Sequence, residues 1–108
     1  MTTAWLALLF AGVLEIIWAL GLKYTDGFTR LWPSVGTVIA IGFSFALLAM
    51  SLRSVPFGTA YAVWTGIGAA GTAAIGMLVF GESADAARVL CLSLIVVGTI
   101  GLKLAEPN

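Results

Sequence analysis

The sequence has no histidine, a single cysteine and few charged side chains. Charged residues make up 9% of its 108 residues, against roughly a quarter in an ordinary soluble domain. Without histidine and with one cysteine, the chain cannot build a Cys/His metal cluster or an intrachain disulfide. Its five acidic and five basic side chains cancel, which removes the case for a nucleic-acid partner. No nucleophile, base and orienting group occur together, so we expect neither an enzyme nor a bound metal or cofactor.

Apolar residues, by contrast, make up 61% of the chain. A transmembrane helix needs about 20 mostly apolar residues, and four runs of about that length are present. Almost every charged residue lies in a joint between runs, near a helix end or near the C-terminus. The sequence therefore predicts an all-α integral membrane protein that forms one domain over residues 1–108, with helices at residues 3–22, 31–52, 57–80 and 86–104.

Turn-forming residues separate the four runs. Gly27 is suited to a left-handed helix stop, and Pro56 disfavours helical geometry at the residue before it. Ser83 and Asp85 are both suited to cap the fourth helix.

Basic residues give almost no signal for orientation in the membrane. With four spans, the first and third joints share one side and carry three basic residues, Lys23, Arg30 and Arg88. The other side carries two, Arg53 and Lys103. Two interpretations stay open: a weakly signalled fixed topology, or insertion in both orientations followed by pairing of inverted copies. An inverted pair would mimic the inverted repeats that support alternating access in larger transporters.

Glu15 is the exception to the charge pattern, because it lies near the middle of the first span. A charged side chain there costs at least about 2.5–3.5 kcal/mol on insertion scales, and ionisable groups inside the membrane are usually functional. No Lys or Arg lies within the core of any span to pair with it. We expect Glu15 to bind a cation and a proton in alternation. The structural alternative is a protonated carboxyl group that only hydrogen-bonds to a neighbouring helix.

Aromatic and hydroxyl side chains at membrane depth are candidates to line this site. Trp18 shares a helix face with Glu15, and Tyr61 and Trp64 share a face of the third span. Their N–H and O–H groups need partners when buried, and Ser44 in the second span offers another hydroxyl. The alternatives are plain packing for Tyr61 and Trp64, and for Ser44 a hydrogen bond to its own helix.

Small residues mark two further features. Gly66 and Gly68 weaken the third helix, which indicates either a bend between two access states or close helix packing. In the fourth span, small residues form one stripe, which predicts a dimer interface or packing within one subunit. The stripe consists of Ala87, Cys91, Gly98, Gly101 and Ala105.

The segments Glu15–Tyr24 and Pro56–Ala69 resemble the first and third helices of the small multidrug resistance family, and the likeness covers essentially the whole chain. The resemblance implies an antiparallel, dual-topology homodimer in the bacterial inner membrane that exchanges a cation for protons at a shared pair of Glu15 carboxylates. Trp18 and the segment Gly58–Ala62 are similar to the guanidinium-exporting branch, whereas the drug-exporting branch usually has a small residue in place of Trp18.

The resemblance also implies the role of each site residue. Glu15 binds the proton or the substrate, and the site is lined by Gly12, Trp18, Ser44, Tyr61 and Trp64. The expected function is proton-coupled export of guanidinium and small substituted guanidines. The alternatives are an exporter of quaternary ammonium drugs, a non-transporting assembly subunit and a passive cation channel.

Overall fold

A computed structural model describes residues 2–105 of the chain as four α-helices joined by short turns. All four are long and apolar enough to cross a membrane. At about 1.5 Å per residue they match a hydrocarbon layer roughly 30 Å thick. The helices are α1 (Thr2–Tyr24), α2 (Leu31–Ser51), α3 (Phe57–Val79) and α4 (Ala86–Ala105).

α2, α3 and α4 begin at the predicted residues, and the other helix ends differ from the prediction by one or two residues. α1 continues to Tyr24, and Thr25 stabilises its last turn by donating its hydroxyl to the Leu22 carbonyl at 2.9 Å. α2 ends one residue early, at Ser51, whose hydroxyl donates to the Leu48 carbonyl at 2.6 Å. These hydrogen bonds satisfy carbonyl groups that a helix end otherwise leaves free.

The first joint turns through three successive residues with positive φ. Gly27 has φ +70°, as its type predicts, and Asp26 and Phe28 have φ values of 49° and 66°. Thr25 holds this turn because its hydroxyl also accepts a hydrogen bond from the Phe28 amide at 3.2 Å. The reversal brings α2 back along α1.

α1 is the central helix of the fold. It packs along α2 on one side and along α3 on the other, while α4 packs against α3. Gly12 permits the close approach of α1 to α3, since a Cβ atom there would lie 2.8 Å from Ile67 Cβ. The Cα positions extend over 44 × 35 × 17 Å, so the single chain is a flat layer of helices rather than a rounded bundle.

The apolar core lies at one end of this layer. The core residues come from the first half of α1, the end of α2, the joint that follows it and the first third of α3, and we call this end the packed half. They are Ala4, Trp5, Leu8, Ala11, Leu48, Val55, Ala60, Val63 and Trp64. The opposite end, with the second halves of α1 and α3 and the joints at residues 25–30 and 80–85, is the open half.

α4 has no buried residue along its whole length. Asp85 caps its first turn, accepting the Arg88 amide at 2.9 Å. The predicted stripe of small residues is exposed, and no atom lies within 4 Å of a Cβ built on Gly98 or Gly101. α4 touches α3 through a different side, where Thr99 lies against Gly66. In one chain, the stripe is therefore free for another contact.

Candidate functional site

Glu15 lies near the midpoint of α1 and faces α3. Its carboxyl group contacts Gly68 so closely that a Cβ atom at Gly68 would overlap the carboxyl carbon and Oε1. Oε1 is buried and has no hydrogen-bond partner among the described residues. Buried polar atoms in proteins are nearly always hydrogen-bonded, so this oxygen is an exception, and it marks Glu15 as a candidate ligand-binding group.

A groove of about 390 Å³ opens between α1 and α3 beside Glu15. It exists because α3 turns glycine, alanine and threonine toward α1 in the open half, and these side chains are too small to fill the space. We call it the α1/α3 groove. Its volume is in the range of small-molecule sites. Its lining is Glu15, Ala19, Leu20, Lys23, Thr65, Gly68, Ala69, Thr72, Ala73, Gly76, Phe80 and Glu82.

Charged and aromatic groups stand at the joint end of the groove. The Lys23 ammonium group lies 4.6 Å from the centre of the Phe80 ring, in the geometry of a cation–π contact. The Glu82 carboxyl group lies over Gly76, where a Cβ atom would come 2.5 Å from its Oε1. Glu15 is about 12 Å from Lys23 along the axis of α1, at about 1.5 Å per residue. The groove thus runs from mid-membrane to the polar end of the helices.

Ser44 joins three helices in the packed half. Its hydroxyl donates to the Ala11 carbonyl of α1 at 2.7 Å and accepts the Trp64 indole N–H at 3.0 Å. Ser44 therefore does not make the hydrogen bond within its own helix that was the predicted alternative. Ala11 precedes Glu15 by four residues, about one turn, so this network fixes the part of α1 next to the carboxyl group.

Tyr61 lies in a row of aromatic rings rather than beside Glu15. Its ring centre is 5.6 Å from Trp64 and 6.2 Å from Phe57, and Trp64 is 5.1 Å from Phe45. The Tyr61 side chain is 52% exposed and does not line the α1/α3 groove. Within one chain, the structure joins Ser44 to Trp64 but leaves Tyr61 facing outward.

Trp18 and Gly12 also lie outside the lining of the groove. Trp18 is partly buried against the core of the packed half, and its indole N–H is buried without a partner. Gly12 is buried against Ile67. α3 runs as one helix through Gly66 and Gly68, and both glycines are points of close contact. A bend at this position stays a prediction.

Of the polar residues that line the groove, the sequence analysis assigns only Glu15 to the site and misses Lys23, Thr65, Thr72 and Glu82. The available signal was the spacing Gly68, Thr72, Gly76, which puts three small residues on one face of α3 at intervals of one turn. Spacing alone does not reveal that this face meets Glu15. That information comes only from the pairing of α1 with α3.

Four helices able to span a membrane, with a buried and unpartnered carboxyl oxygen beside a groove at mid-depth, define a small multi-pass membrane protein. The profile of the Small Multidrug Resistance protein family matches residues 3–95, and the chain belongs to that family.

Similar proteins named "Guanidinium exporter" match nearly the whole chain. The relative from Yersinia pseudotuberculosis is 60% identical over 103 residues, which cover 95% of this chain and 99% of the relative. The relative from Citrobacter freundii is 60% identical over 102 residues, covering 94% and 97%. One from Salmonella typhimurium is 58% identical over 102 residues, with the same coverage. The relatives are thus named as transporters, and this chain is a multi-pass protein of the bacterial inner membrane.

Proposed function

We propose that this protein exports guanidinium in exchange for protons, at a site formed by the Glu15 carboxyl groups of two antiparallel copies. The observation that carries the proposal is the buried, unpartnered Oε1 of Glu15 beside an open groove. The relatives named "Guanidinium exporter" support guanidinium as the substrate. The coupling to protons and the paired carboxylates are our inference from the chemistry of this site.

Guanidinium suits a carboxylate site because it is planar, cationic and able to donate two parallel hydrogen bonds to one carboxylate. It stays protonated at physiological pH, so it cannot cross the membrane as a neutral molecule. A protonated Glu15 has no charge and can accept fewer hydrogen bonds from the cation, whereas an ionised Glu15 attracts it and can accept two in parallel. One carboxyl group that binds either ligand, but not both, couples the outward movement of guanidinium to the inward movement of protons.

A second copy of the chain completes the site in this proposal. The exposed Tyr61 ring and the free stripe on α4 are surfaces that a second copy would cover. The near balance of basic residues between the two ends favours pairing of inverted copies. Inversion sets the packed half of one chain beside the open half of the other, so each side of the membrane receives one groove. Such a pair can open to the two sides in turn.

Transport by the purified protein in liposomes tests the function. With an imposed pH gradient, we expect the wild type to accumulate guanidinium against its concentration gradient and Glu15→Gln, which keeps the shape but not the charge, to lose this exchange. Guanidinium flux that ignores the pH gradient would indicate a passive channel. Exchange of quaternary ammonium ions in place of guanidinium would indicate a drug exporter.

Added charge tests the antiparallel arrangement. Lysines placed after Glu106 should force most chains into one orientation, and lysines placed beside Arg30 should force most chains into the opposite orientation. Each variant alone should therefore show less exchange. Co-expression of the two variants should restore exchange. Full activity from either strongly biased variant alone would contradict the antiparallel pair.

A further inference from the structure

We propose that Thr72 is a second substrate contact, whose hydroxyl accepts a hydrogen bond from the far edge of a guanidinium ion held by Glu15. The inference rests on the proposed function and adds to it the residue that distinguishes a cation with N–H groups from one without them. Three observations carry it: the place of Thr72 on α3, the state of its hydroxyl, and the geometry of the ion.

Thr72 lies one helical turn beyond the glycine that contacts Glu15. The Glu15 carboxyl group is packed on Gly68, and Thr72 follows at i+4 on the same face of α3. Both residues line the α1/α3 groove. One turn rises about 5.4 Å along the axis, so we infer that the carboxyl group and the hydroxyl lie about one turn apart along the groove, a separation that one small planar ion can span.

The Thr72 hydroxyl is buried and has no hydrogen-bond partner in the described part of the chain. A helical serine or threonine can satisfy its hydroxyl by donating to a carbonyl of the preceding turn. Ser93 does so with Val89 at 2.8 Å, and Thr99 with Ile95 at 2.8 Å. Thr72 makes no such bond although its oxygen is buried, so this oxygen still needs a partner.

Thr72 can be compared with the other side-chain oxygens that are buried without a hydrogen-bond partner. Among the side chains of residues 3–105, the buried oxygens without a partner are Glu15 Oε1, Thr37 Oγ1 and Thr72 Oγ1. Thr37 lies against Gly21 between α1 and α2, away from the groove. The two that remain line the same groove, and both can accept a hydrogen bond.

Guanidinium matches this pair of acceptors. Like the arginine head group, it has only donors, which lie in one plane and point in fixed directions. When one edge is paired with a carboxylate, the N–H groups of the opposite edge still need acceptors. A threonine hydroxyl one turn further along the groove provides one, whereas it gives no hydrogen bond to a cation that lacks N–H groups.

The test compares two variants of Thr72 that differ in the hydroxyl. Thr72→Val keeps the shape and removes the hydroxyl, and Thr72→Ser keeps the hydroxyl. Guanidinium affinity is measured from the tryptophan fluorescence of purified protein, and the KM and maximal rate of exchange from liposomes. We expect Thr72→Val to weaken the affinity and raise KM about three- to tenfold, the worth of one hydrogen bond. Thr72→Ser should stay within about twofold of the wild type.

Thr99→Val is the matched control, because its hydroxyl bonds within α4 and its loss should leave affinity and KM unchanged. If Thr72→Val does not yield folded protein, Thr72→Ala removes the same hydroxyl. Wild-type affinity in the hydroxyl-free variant, or equal losses of affinity in the serine and valine variants, would overturn the inference about Thr72. The proposed function would still stand in that case, provided that the wild type exchanges guanidinium. A wild type that binds no guanidinium would overturn both.

Discussion

The packed half and the open half of this protein are built from the same helices but differ in the side chains that α3 presents to α1. In the packed half, α3 presents Val63 and Trp64, which are 1% and 5% exposed. In the open half it presents Gly68, Thr72 and Gly76, and a groove of about 390 Å³ remains. Side-chain volume on one face of α3 therefore decides where the helices close and where they leave space for a ligand.

The two halves also differ in the state of their polar groups. In the packed half, the Ser44 hydroxyl and the Trp64 indole are bonded to each other, and Ser44 also reaches the Ala11 carbonyl. In the open half, Glu15 and Thr72 keep buried oxygens without partners. The packed half also keeps two buried groups without partners, the indole N–H groups of Trp5 and Trp18. The halves therefore differ in which groups are left unpartnered: donors packed in a core in one half, and oxygen acceptors beside a groove in the other. This difference supports the proposal that the cation binds in the open half, while the Ser44 network holds the helices of the packed half together.

Gly68→Ala, in the open half, should reduce guanidinium exchange more than the other substitutions. The added methyl group overlaps the Glu15 carboxyl group and must displace it. A displacement of about 1 Å at a reacting group can cost about a hundredfold in rate, and we expect a loss of that order in guanidinium exchange by liposomes. Gly36→Ala in α2 is the control, since a Cβ atom there meets nothing within 4 Å. Equal exchange by both variants would show that Glu15 does not act from its position on Gly68.

Ser44→Ala should weaken the packed half. The substitution deletes the donor to Ala11 and leaves the Trp64 N–H without its acceptor. An unsatisfied buried donor costs about 1–3 kcal/mol, and we expect the free energy of unfolding in detergent to fall by about that amount. Ser93→Ala provides the comparison, because its exposed hydroxyl bonds only within α4. A Ser44 variant as stable as the Ser93 variant would remove the anchoring role.

Tyr61→Phe should have the smallest effect of the three substitutions. It tests whether a residue of the packed half also contributes to guanidinium binding. In one chain the Tyr61 ring packs on Phe57 and Trp64, contacts that phenylalanine keeps. If a second copy brings its hydroxyl to the paired site, guanidinium affinity should fall about three- to tenfold, the worth of one hydrogen bond, with unchanged stability. Unchanged affinity would limit Tyr61 to packing. Fluorescence titration of the purified variant measures the difference.

The sequence predicted the fold well because each helix is specified by its own residues. Hydropathy and turn chemistry predicted four helices with ends within two residues of those observed, and Gly27 takes the left-handed conformation expected of it. Asp85 rather than Ser83 caps α4, a choice between two suitable side chains that sequence left open.

The site was harder to predict because it depends on contacts between helices. Glu15 is predicted as a site residue because it is the charged residue in the middle of a span, and this prediction needs no knowledge of how the helices pack. The periodicity of α3 gives the face on which Gly68 and Thr72 lie but not that this face meets Glu15. Likewise, nothing in the sequence shows that Ser44 bonds to the Ala11 carbonyl of α1. The pairing of helices decides such contacts, and hydropathy does not predict that α1 packs between α2 and α3.

The pH dependence of guanidinium affinity is the most direct test of the central claim, that proton and guanidinium compete for Glu15. In the folded wild type, affinity should be constant at high pH and should fall as pH falls, because protons then occupy the carboxyl groups. Below the transition, the fall should be about tenfold per pH unit if one proton is displaced and about a hundredfold if two are. A fluorescence titration from about pH 5 to about pH 9 covers the range in which carboxyl groups with shifted pKa values titrate. Affinity that is independent of pH across this range would contradict the account, since guanidinium would then bind without using Glu15.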